Sequence, residues 1–414
     1  MRGQKNDLYL LDKRMSQYRH KTVLPQDVIF CKKCVISNQR PSATIEFENV
    51  NIKETIAFDD EGVCSACRYH EMKQTEINWQ KRSEELVKLL DKHRSRGGGY
   101  DVIVPGSGGK DSTYVSHVLK YKYGMHPLTV TWPPNMYTEI GRQNFEAWLN
   151  EGFSNISFYP NRKVHRLLTR EAFVNLLHPF QPFILGQKQI GPKMAALYGV
   201  KLVMYGESHA EGGTNIQEAF TPIMSPKYYS RPEVDRTNIV IGGRTTEQLL
   251  QMGLSMADLE PYLPISRETV DEKGIEVHHM GYYENWRPQD KYYYAAEVCS
   301  YKPNPDRTEG TYSKYASLDD KIDGFHYYTT YIKFGYGRAT SDACQEIRNQ
   351  HITREEGIAL VSRYDGEFPR KYFSEFLNYL EITEDQFWEA INWFRPQHLW
   401  ENKGGEWYLK HQVK

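Results

Sequence analysis

The chain has 414 residues, of which 39% are apolar, so it can bury a sizeable core and form two or three structural units of about 100–200 residues each. Its 52 basic and 53 acidic residues nearly cancel, which gives no global electrostatic argument for nucleic acid or an anionic membrane as a partner. No stretch approaches the roughly 18 apolar residues of a membrane helix, and the charged N-terminus lacks the apolar run of a signal peptide, so we expect a cytoplasmic protein.

The N-terminal part contains two CxxC pairs. Residues 1–75 are predicted to form a polar arm over 1–29 followed by a metal-binding unit. Each pair can present two thiolates to one ion, and two pairs complete the tetrahedral four-thiolate site of structural zinc. An iron–sulfur cluster uses the same ligands and stays an alternative, as do four free thiols. Because the gap between the pairs is longer than in simple zinc fingers, the segment around 44–47 is expected to belong to a small hairpin. The predicted ligands are Cys31, Cys34, Cys64 and Cys67.

An alternation of strands and helices follows an amphipathic helix predicted over 76–94. Strands are predicted over 101–104, 126–131, 155–159 and 201–205, and helices over 110–123, 138–151, 162–177 and 186–199. Strands alternating with helices indicate an α/β fold with a doubly wound parallel sheet, assigned to 76–340. Residues 208–300 break the alternation and are interpreted as an insertion that shapes a substrate pocket. Helical periodicity returns over 340–400 and predicts a helical C-terminal unit at 341–414.

The most informative motif is Ser107-Gly108-Gly109-Lys110-Asp111-Ser112, which follows the first predicted strand and opens a helix. Glycines there let backbone N–H groups approach an anion closely, and the helix N-terminus adds partial positive charge, so the loop is predicted to bind phosphate. Lys110 can counter phosphate charge, and Asp111 can hold Mg²⁺. A Walker A loop does not fit, because Val104 stands at its first glycine and Asp111 follows the lysine. The Rossmann pattern fails as well, because Asp111 stands at its third glycine.

This hexad resembles the SGGxDS signature of the pyrophosphatase-loop ATPases, which have a HUP-like α/β fold and cleave ATP to AMP and pyrophosphate. With the CxxC pairs, Tyr205-Gly206-Glu207 and the Lys-Phe-Gly-Tyr-Gly-Arg stretch from Lys333 to Arg338, the chain resembles the N-acetyl sugar amidotransferases of bacterial surface polysaccharide synthesis. These include lipopolysaccharide O-antigen amidotransferases and pseudaminic acid acetamidino synthases. The resemblance extends from residue 30 to the neighbourhood of residue 400.

The resemblance implies an ATP-dependent carbon–nitrogen ligase that converts the N-acetyl group of a sugar or nucleotide sugar to an acetamidino group. It implies ATP, Mg²⁺ and a structural Zn²⁺ as cofactors, and separate glutaminase and cyclase-like subunits that supply ammonia. The residues agree with an external ammonia source. Position 2 is arginine, so we expect no N-terminal cysteine nucleophile, and neither Cys299 nor Cys344 lies in a glycine-flanked elbow.

Residues at the ends of two predicted strands are assigned to the nucleotide. Thr131 and Trp132 end the second strand and are expected near adenosine, because ligands gather at the carboxyl ends of parallel strands. Plain packing is the alternative for Trp132. Gly206 and Glu207 end the fourth strand and are expected to face the same crevice, where Glu207 would bind a metal or the ribose, or would remain a surface carboxylate.

The candidate catalytic residues are Lys110, Asp111, Lys333 and Arg338. The last two lie in a glycine-punctuated segment that could close over the phosphates or the acid group of a sugar, or they could be a solvated basic pair. His278 and His279 have no partner in a recognisable metal spacing and are expected to be structural.

Two other functions use the same features. A tRNA sulfurtransferase also has this loop and often CxxC pairs, but the balanced charge and the lack of a downstream catalytic cysteine pair argue against it. A non-catalytic nucleotide-binding zinc protein is the other reading. The intact Asp111 and the long segment over 208–300 argue against mere sensing.

Overall fold

The computed structural model describes residues 23–43, 45–48, 54–213, 216 and 220–414. Residues 1–22 of the predicted polar arm and Thr44 of the predicted hairpin lie outside the described residues. The described part of the segment between the CxxC pairs makes an antiparallel bridge between Pro41 and Thr55, as a hairpin there requires.

The described chain contains far more helix than strand, and none of its helices is long and apolar enough to cross a membrane. In chain order they are α1 (Ser65–Thr75), α2 (Trp79–His93), α3 (Lys110–His117, continued by a π-helical segment Val118–Lys122), α4 (Glu139–Asn150), α5 (Arg162–Leu176), α6 (Gln181–Tyr198), α7 (Thr246–Gln251), α8 (Met256–Leu259), α9 (Arg267–Lys273), α10 (Met280–Tyr283), α11 (Pro288–Val298), α12 (Asp323–Phe334), α13 (Arg338–Arg348), α14 (Arg354–Tyr364), α15 (Phe373–Leu380) and α16 (Glu384–Phe394). Short 3₁₀ turns occupy His209–Gly212, Pro226–Tyr228 and Glu233–Asp235.

The strands divide into one large sheet and three small pairs. They are β1 (Val102–Pro105), β2 (Pro127–Thr131), β3 (Ser154–Ser157), β4 (Leu202–Tyr205), β5 (Ser230–Arg231), β6 (Val240–Ile241), β7 (Arg244–Thr245), β8 (Ile265–Ser266), β9 (Glu276–His279), β10 (Trp400–Lys403) and β11 (Glu406–Leu409). The large sheet has five parallel strands in the order β3-β2-β1-β4-β9.

Helices cover both faces of the large sheet because successive residues of its buried strands point to opposite sides. On β1, Val102 and Val104 pack in a core with Val115 of α3, whereas Ile103 packs in another with Ile190 of α6. The predicted α/β class and the parallel sheet with helices on both faces are therefore confirmed.

The predicted insertion over 208–300 needs correction, because its later part returns to the sheet. Strand β9 pairs in parallel with β4, with Val203 opposite Val277. β9 is an edge strand, and two of its four residues are histidines, so it lacks the apolar run of the central strands. His278 is buried there, and its Nδ1 lies 2.7 Å from the hydroxyl oxygen of Tyr283, which agrees with the structural role expected for it.

The C-terminal helices share a core with the sheet domain. Phe173 of α5 stacks on Phe387 of α16, with ring centroids 5.4 Å apart, and meets Phe376 of α15 edge-on at 5.5 Å. The boundary predicted at residue 341 therefore does not separate two hydrophobic cores. The chain also ends on the antiparallel hairpin of β10 and β11, which helical periodicity did not predict.

We predict that Gly186→Ala destabilises the fold, because a Cβ at this position of α6 would lie 2.1 Å from the ring of Trp132. Alanine favours a helix over glycine by up to about 1 kcal/mol. The steric clash with Trp132 should outweigh this gain in helix propensity and lower the free energy of unfolding by about 1–3 kcal/mol, as measured by urea denaturation. Gly97→Ala is the control, since nothing lies within 4 Å of its Cβ. A Gly186→Ala protein as stable as the wild type would contradict the packing of Trp132.

Candidate functional site

The glycine loop forms a tight turn between β1 and α3. β1 ends at Pro105, and α3 begins at Lys110 with Gly109 as its N-cap. Gly108 has a φ of +81°, and a Cβ there would lie 2.7 Å from the Cα of Phe145 on α4. Only glycine fits this approach, so the loop turns tightly before α3, whose first-turn N–H groups have no partner within the helix.

Both serines of the loop are held by hydrogen bonds. Ser107 Oγ donates to Asp319 Oδ2 at 2.9 Å, and Ser112 Oγ donates to the carbonyl oxygen of Gly109 at 3.2 Å. Asp319 was missed by the sequence reading, although the acidic pair Asp319-Asp320 before α12 was a visible signal. Burial raises the pKa of Asp319, and its bond to Ser107 opposes that shift.

Lys110 and Asp111 form an ion pair at the start of α3, with Lys110 Nζ 2.6 Å from Asp111 Oδ2. The second carboxylate oxygen, Oδ1, is buried and has no hydrogen-bond partner among the described residues. A buried carboxylate oxygen is costly without a donor or a cation. Asp111 therefore fits the role of a Mg²⁺ ligand.

Glu207 follows β4 and joins Asp111 at the same edge of the sheet. Gly206 lies beside Asp111, since a Cβ there would be 3.4 Å from the Cβ of Asp111, and it packs closely on Trp286, whose ring would be 3.0 Å from that Cβ. Gln345 Nε2 donates to Glu207 Oε1 at 3.1 Å. Desolvation, followed by the charges of Asp111 and Glu211, raises the pKa of Glu207 to about 7. Carboxylates that repel one another in this way are suited to share a divalent cation.

These groups line a cavity of about 540 Å³, here called the switch-point cavity because it opens beside β1 and β4, where the strand order reverses. Its described lining contains four bases (Arg40, Lys110, Arg338 and Arg348) and four acids (Asp111, Glu207, Glu211 and Asp342). Such a mixture suits a ligand that carries phosphate and a metal ion together, because the bases can meet the phosphates and the acids can meet the metal.

A smaller cavity of about 170 Å³, the loop cavity, adjoins the switch-point cavity through Lys110, Asp111 and Arg338. It is further lined by Ser107, Gly108, Gly109, Gly141, Asn144, Tyr301, Tyr315, Ala316, Ser317, Leu318 and Asp319. The glycine loop therefore lies beside both cavities, and Arg338 lines both of them.

Arg338, a predicted catalytic residue, lines the loop cavity together with the glycine loop. Its Nε lies 2.9 Å from Asp342 Oδ1, and its Nη1 donates to the hydroxyl of Tyr327. Thr311 Oγ1 in turn donates to Asp342 Oδ2 at 2.6 Å. The guanidinium is thus fixed in place beside Lys110 before any ligand arrives.

Five expected site residues are not among the lining residues of these cavities: Ser112, Thr131, Trp132, Gly206 and Lys333. Thr131 is buried, with its hydroxyl accepting from Asn155 Nδ2 at 3.0 Å, and Trp132 is buried against Phe158, with ring centroids 5.7 Å apart. We therefore correct the expectation that the side chains of Thr131 and Trp132 face a nucleotide, and the packing alternative for Trp132 holds. Lys333 Nζ donates to the carbonyl oxygen of Leu176 at 3.1 Å, so it serves α5 and not the loop.

The four cysteines of the CxxC pairs come together as predicted. All four side chains are buried, and their sulfur atoms lie within 4.8 Å of one another. Cys31 Sγ is 3.9 Å from Cys67 Sγ, and Cys34 Sγ is 3.7 Å from Cys64 Sγ. Tetrahedral zinc with Zn–S bonds of about 2.3 Å requires sulfur–sulfur distances of about 3.8 Å, so this site is compatible with one zinc ion.

The cysteine unit docks on the C-terminal helices. Arg354 of α14 donates to the carbonyl oxygens of Cys34 at 3.2 Å and Cys31 at 3.4 Å. Cys344 of α13 is buried in the same apolar cluster as the four cysteines. This docking brings Arg40, which lies between the two CxxC pairs, into the switch-point cavity.

The two remaining cysteines are both buried, as expected for core thiols. Cys299 also lies near His117 and Glu151, with donor atoms of the three residues within 4.8 Å. His117 Nδ1 already lies 2.9 Å from the hydroxyl of Tyr294, so one of its two ring nitrogens is engaged.

We predict one zinc ion per chain, held by the four-thiolate site. Cys64→Ser should lose the zinc and lower the free energy of unfolding by at least about 2 kcal/mol, because structural zinc contributes folding free energy directly. Elemental analysis and urea denaturation measure the two effects. Cys299→Ser is the control and should retain its zinc. Stoichiometric iron in place of zinc, or a zinc ion lost in Cys299→Ser, would contradict the assignment.

Comparison with known proteins identifies the C-terminal part. Residues 309–414 match a protein-family model described as the C-terminal domain of WbpG-like LPS biosynthesis proteins. The matched range contains Asp319, Arg338, Asp342 and Arg348, which line the two cavities at the glycine loop. No curated protein matches the chain. The match supports an LPS biosynthesis family for this chain.

Proposed function

We propose that the chain is an ATP-dependent amidotransferase that adenylates the carbonyl oxygen of an N-acetyl group on a bacterial surface-polysaccharide sugar and then replaces AMP by ammonia. The observation that carries the proposal is the glycine turn before α3. It opens a helix N-terminus onto a cavity where Asp111 keeps a buried carboxylate oxygen without a partner among the described residues. The C-terminal match to LPS biosynthesis proteins supports a surface-polysaccharide sugar as the substrate in this proposal.

The chemistry explains why ATP would be needed. An amide carbon is a poor electrophile because its nitrogen donates electrons into the carbonyl group. Attack of the amide oxygen on the α-phosphorus breaks the bond to pyrophosphate and converts the oxygen into part of a leaving group. Ammonia then adds to the carbon and gives up a proton, and the carbon–oxygen bond breaks to release AMP. The products are an amidine, AMP and pyrophosphate.

The residues at the loop supply what this reaction requires. The first-turn N–H groups of α3, together with Lys110 and Arg338, would stabilise the charge that develops on pyrophosphate as it leaves. Asp111 and Glu207 would hold Mg²⁺, which when bound neutralises phosphate charge. Ser107, tied to Asp319, keeps the loop in its binding geometry throughout.

The proposal predicts AMP and pyrophosphate as the direct products when the protein is supplied with ATP, an N-acetyl nucleotide sugar and ammonium. Asp111→Asn should lower turnover about 10²-fold or more, because it weakens the hold on a catalytic metal. Asp271→Asn, on the exposed side of α9, is the matched control and should keep wild-type turnover. Direct formation of ADP and orthophosphate, or AMP release that depends on bulk tRNA and not on sugar, would refute the proposal.

A second prediction concerns the nitrogen source. Cys299 and Cys344 are only 1% and 0% exposed, so we expect neither thiol to reach glutamine as a nucleophile, and burial also raises the pKa of Cys299 to about 12. We expect turnover with a high concentration of ammonium salt and none with glutamine, measured as AMP release by the purified chain. Adding a separate glutaminase with its cyclase-like companion should restore the use of glutamine. Glutamine-supported turnover by the chain alone would contradict this expectation.

A further inference from the structure

A third cavity, of about 670 Å³, opens beyond the carboxyl ends of β2 and β3, apart from the glycine loop. We call it the basic cavity. Its described lining residues are Pro133, Pro134, Asn135, Met136, Tyr137, Arg142, Tyr159, Pro160, Arg162, Lys163, His165, Arg166, Lys321 and Tyr379. Five of these are cationic and none is an acid, in contrast to the four acids of the switch-point cavity. A cavity of this size can hold a ligand as large as a nucleotide.

Three of the five cations have no acidic partner. Among the described residues, no carboxylate lies within ion-pair distance of Arg142, Arg162 or Lys163. Arg142 instead lies over the ring of Tyr137 at 4.1 Å, and Arg162 over the ring of Tyr159 at 5.2 Å. Helix α5 begins at Arg162 and has no acidic residue in its first turn, so its N-terminus adds to the positive potential. These three cations are therefore available to a bound anion.

The other two cations are partly neutralised. Arg166 pairs with Glu381 at 2.9 Å, and Lys321 lies 3.7 Å from Glu375. The cavity therefore offers about three free positive charges, which match the charge of a diphosphate group.

The floor of the cavity is rigid because Asn135 is held from several directions. Its Nδ2 donates to Asp320 Oδ2 at 3.0 Å, so its Oδ1 must be an acceptor. That oxygen lies 2.7 Å from His165 Nε2 and 3.3 Å from the hydroxyl of Tyr379. Burial lowers the pKa of His165 to about 4, so the imidazole stays neutral and adds a fixed hydrogen bond without charge. A rigid floor reduces the entropy cost of binding.

Apolar and aromatic groups complete the wall beside the cations. Tyr159 is 44% exposed at the rim, and Pro133, Pro134 and Met136 line the cavity with apolar groups. A planar base can lie against such a surface while its phosphates meet the arginines. An inorganic anion would use the cations and leave the aromatic and apolar surface unused.

We propose that the basic cavity binds a nucleoside diphosphate, the carrier part of a nucleotide sugar, at a site separate from the glycine loop. The inference rests on the proposed function, because only that function identifies the nucleoside diphosphate as the carrier of the sugar substrate. The absence of acids among the described lining residues means that the diphosphate is bound directly by arginine and lysine, without a bridging metal.

The test measures binding of UDP to the full chain by isothermal titration calorimetry, with and without saturating magnesium and α,β-methylene-ATP. UDP should bind in both conditions. The double variant Arg162→Gln/Lys163→Gln should weaken UDP binding at least about tenfold through the loss of charge-assisted hydrogen bonds. The matched double variant Lys81→Gln/Lys88→Gln removes the same charge from the exposed face of α2 and should leave binding within about twofold of the wild type.

A second arm separates a nucleotide site from a simple anion site. Tyr159→Ala should weaken UDP binding and leave pyrophosphate binding to the same cavity unchanged. Three results would overturn the proposal: competition between UDP and the ATP analogue, wild-type affinity in Arg162→Gln/Lys163→Gln, or UDP binding that is insensitive to Tyr159→Ala. These measurements need no turnover. A chain that releases no AMP but shows the expected UDP losses would refute the proposed function and leave the basic cavity as a nucleotide site.

Discussion

The reversal of strand order between β1 and β4 is the constraint on which the rest of the site depends. Chain connections leave these neighbouring strands toward opposite sides of the sheet, so a crevice forms at their carboxyl ends that no connection covers. The glycine turn after β1 and Gly206 after β4 both open into it. Asp111 and Glu207 line the same cavity there, and α3 begins at the same point.

Residues far away in sequence supply much of the charge in this crevice, and helix α13 connects them. Arg338 at its beginning stands between the two cavities, while Arg348 at its end donates to the carbonyl oxygen of Glu211 at 3.1 Å. Between them, Cys344 packs in the cysteine cluster. The cysteine unit thereby fixes the direction of a helix that carries two of the four cations of the switch-point cavity, so its structural role extends to the site.

Local signals in the sequence were enough to predict the glycine loop and the metal ligands, but they were not enough to predict the residues that surround them. Gly108 and the CxxC cysteines belong to motifs that are defined by short spacings along the chain, and such spacings can be seen directly in the sequence. Asp319 lies 212 residues from its partner Ser107, and no local pattern links the two. The end of a strand indicates where ligands gather, but it does not indicate which side chains face the ligand and which pack in the core. For this reason the sequence predicted Trp132 near adenosine, although its ring packs against Gly186. β9 was missed because a strand of four residues with two histidines resembles a loop.

The short segment 318–321 joins the walls of two cavities whose charges differ. Asp319 holds Ser107 of the glycine loop, and the next residue, Asp320, accepts the backbone N–H of Asn135 at 2.6 Å and so fixes the floor of the basic cavity. Tyr137 and Asp320 form an antiparallel bridge, which ties the start of α4 to the same segment. The lining at the loop mixes bases with acids, whereas the described lining of the basic cavity has cations and no acid. Adjacent residues of one segment therefore anchor the glycine loop and the floor of the basic cavity.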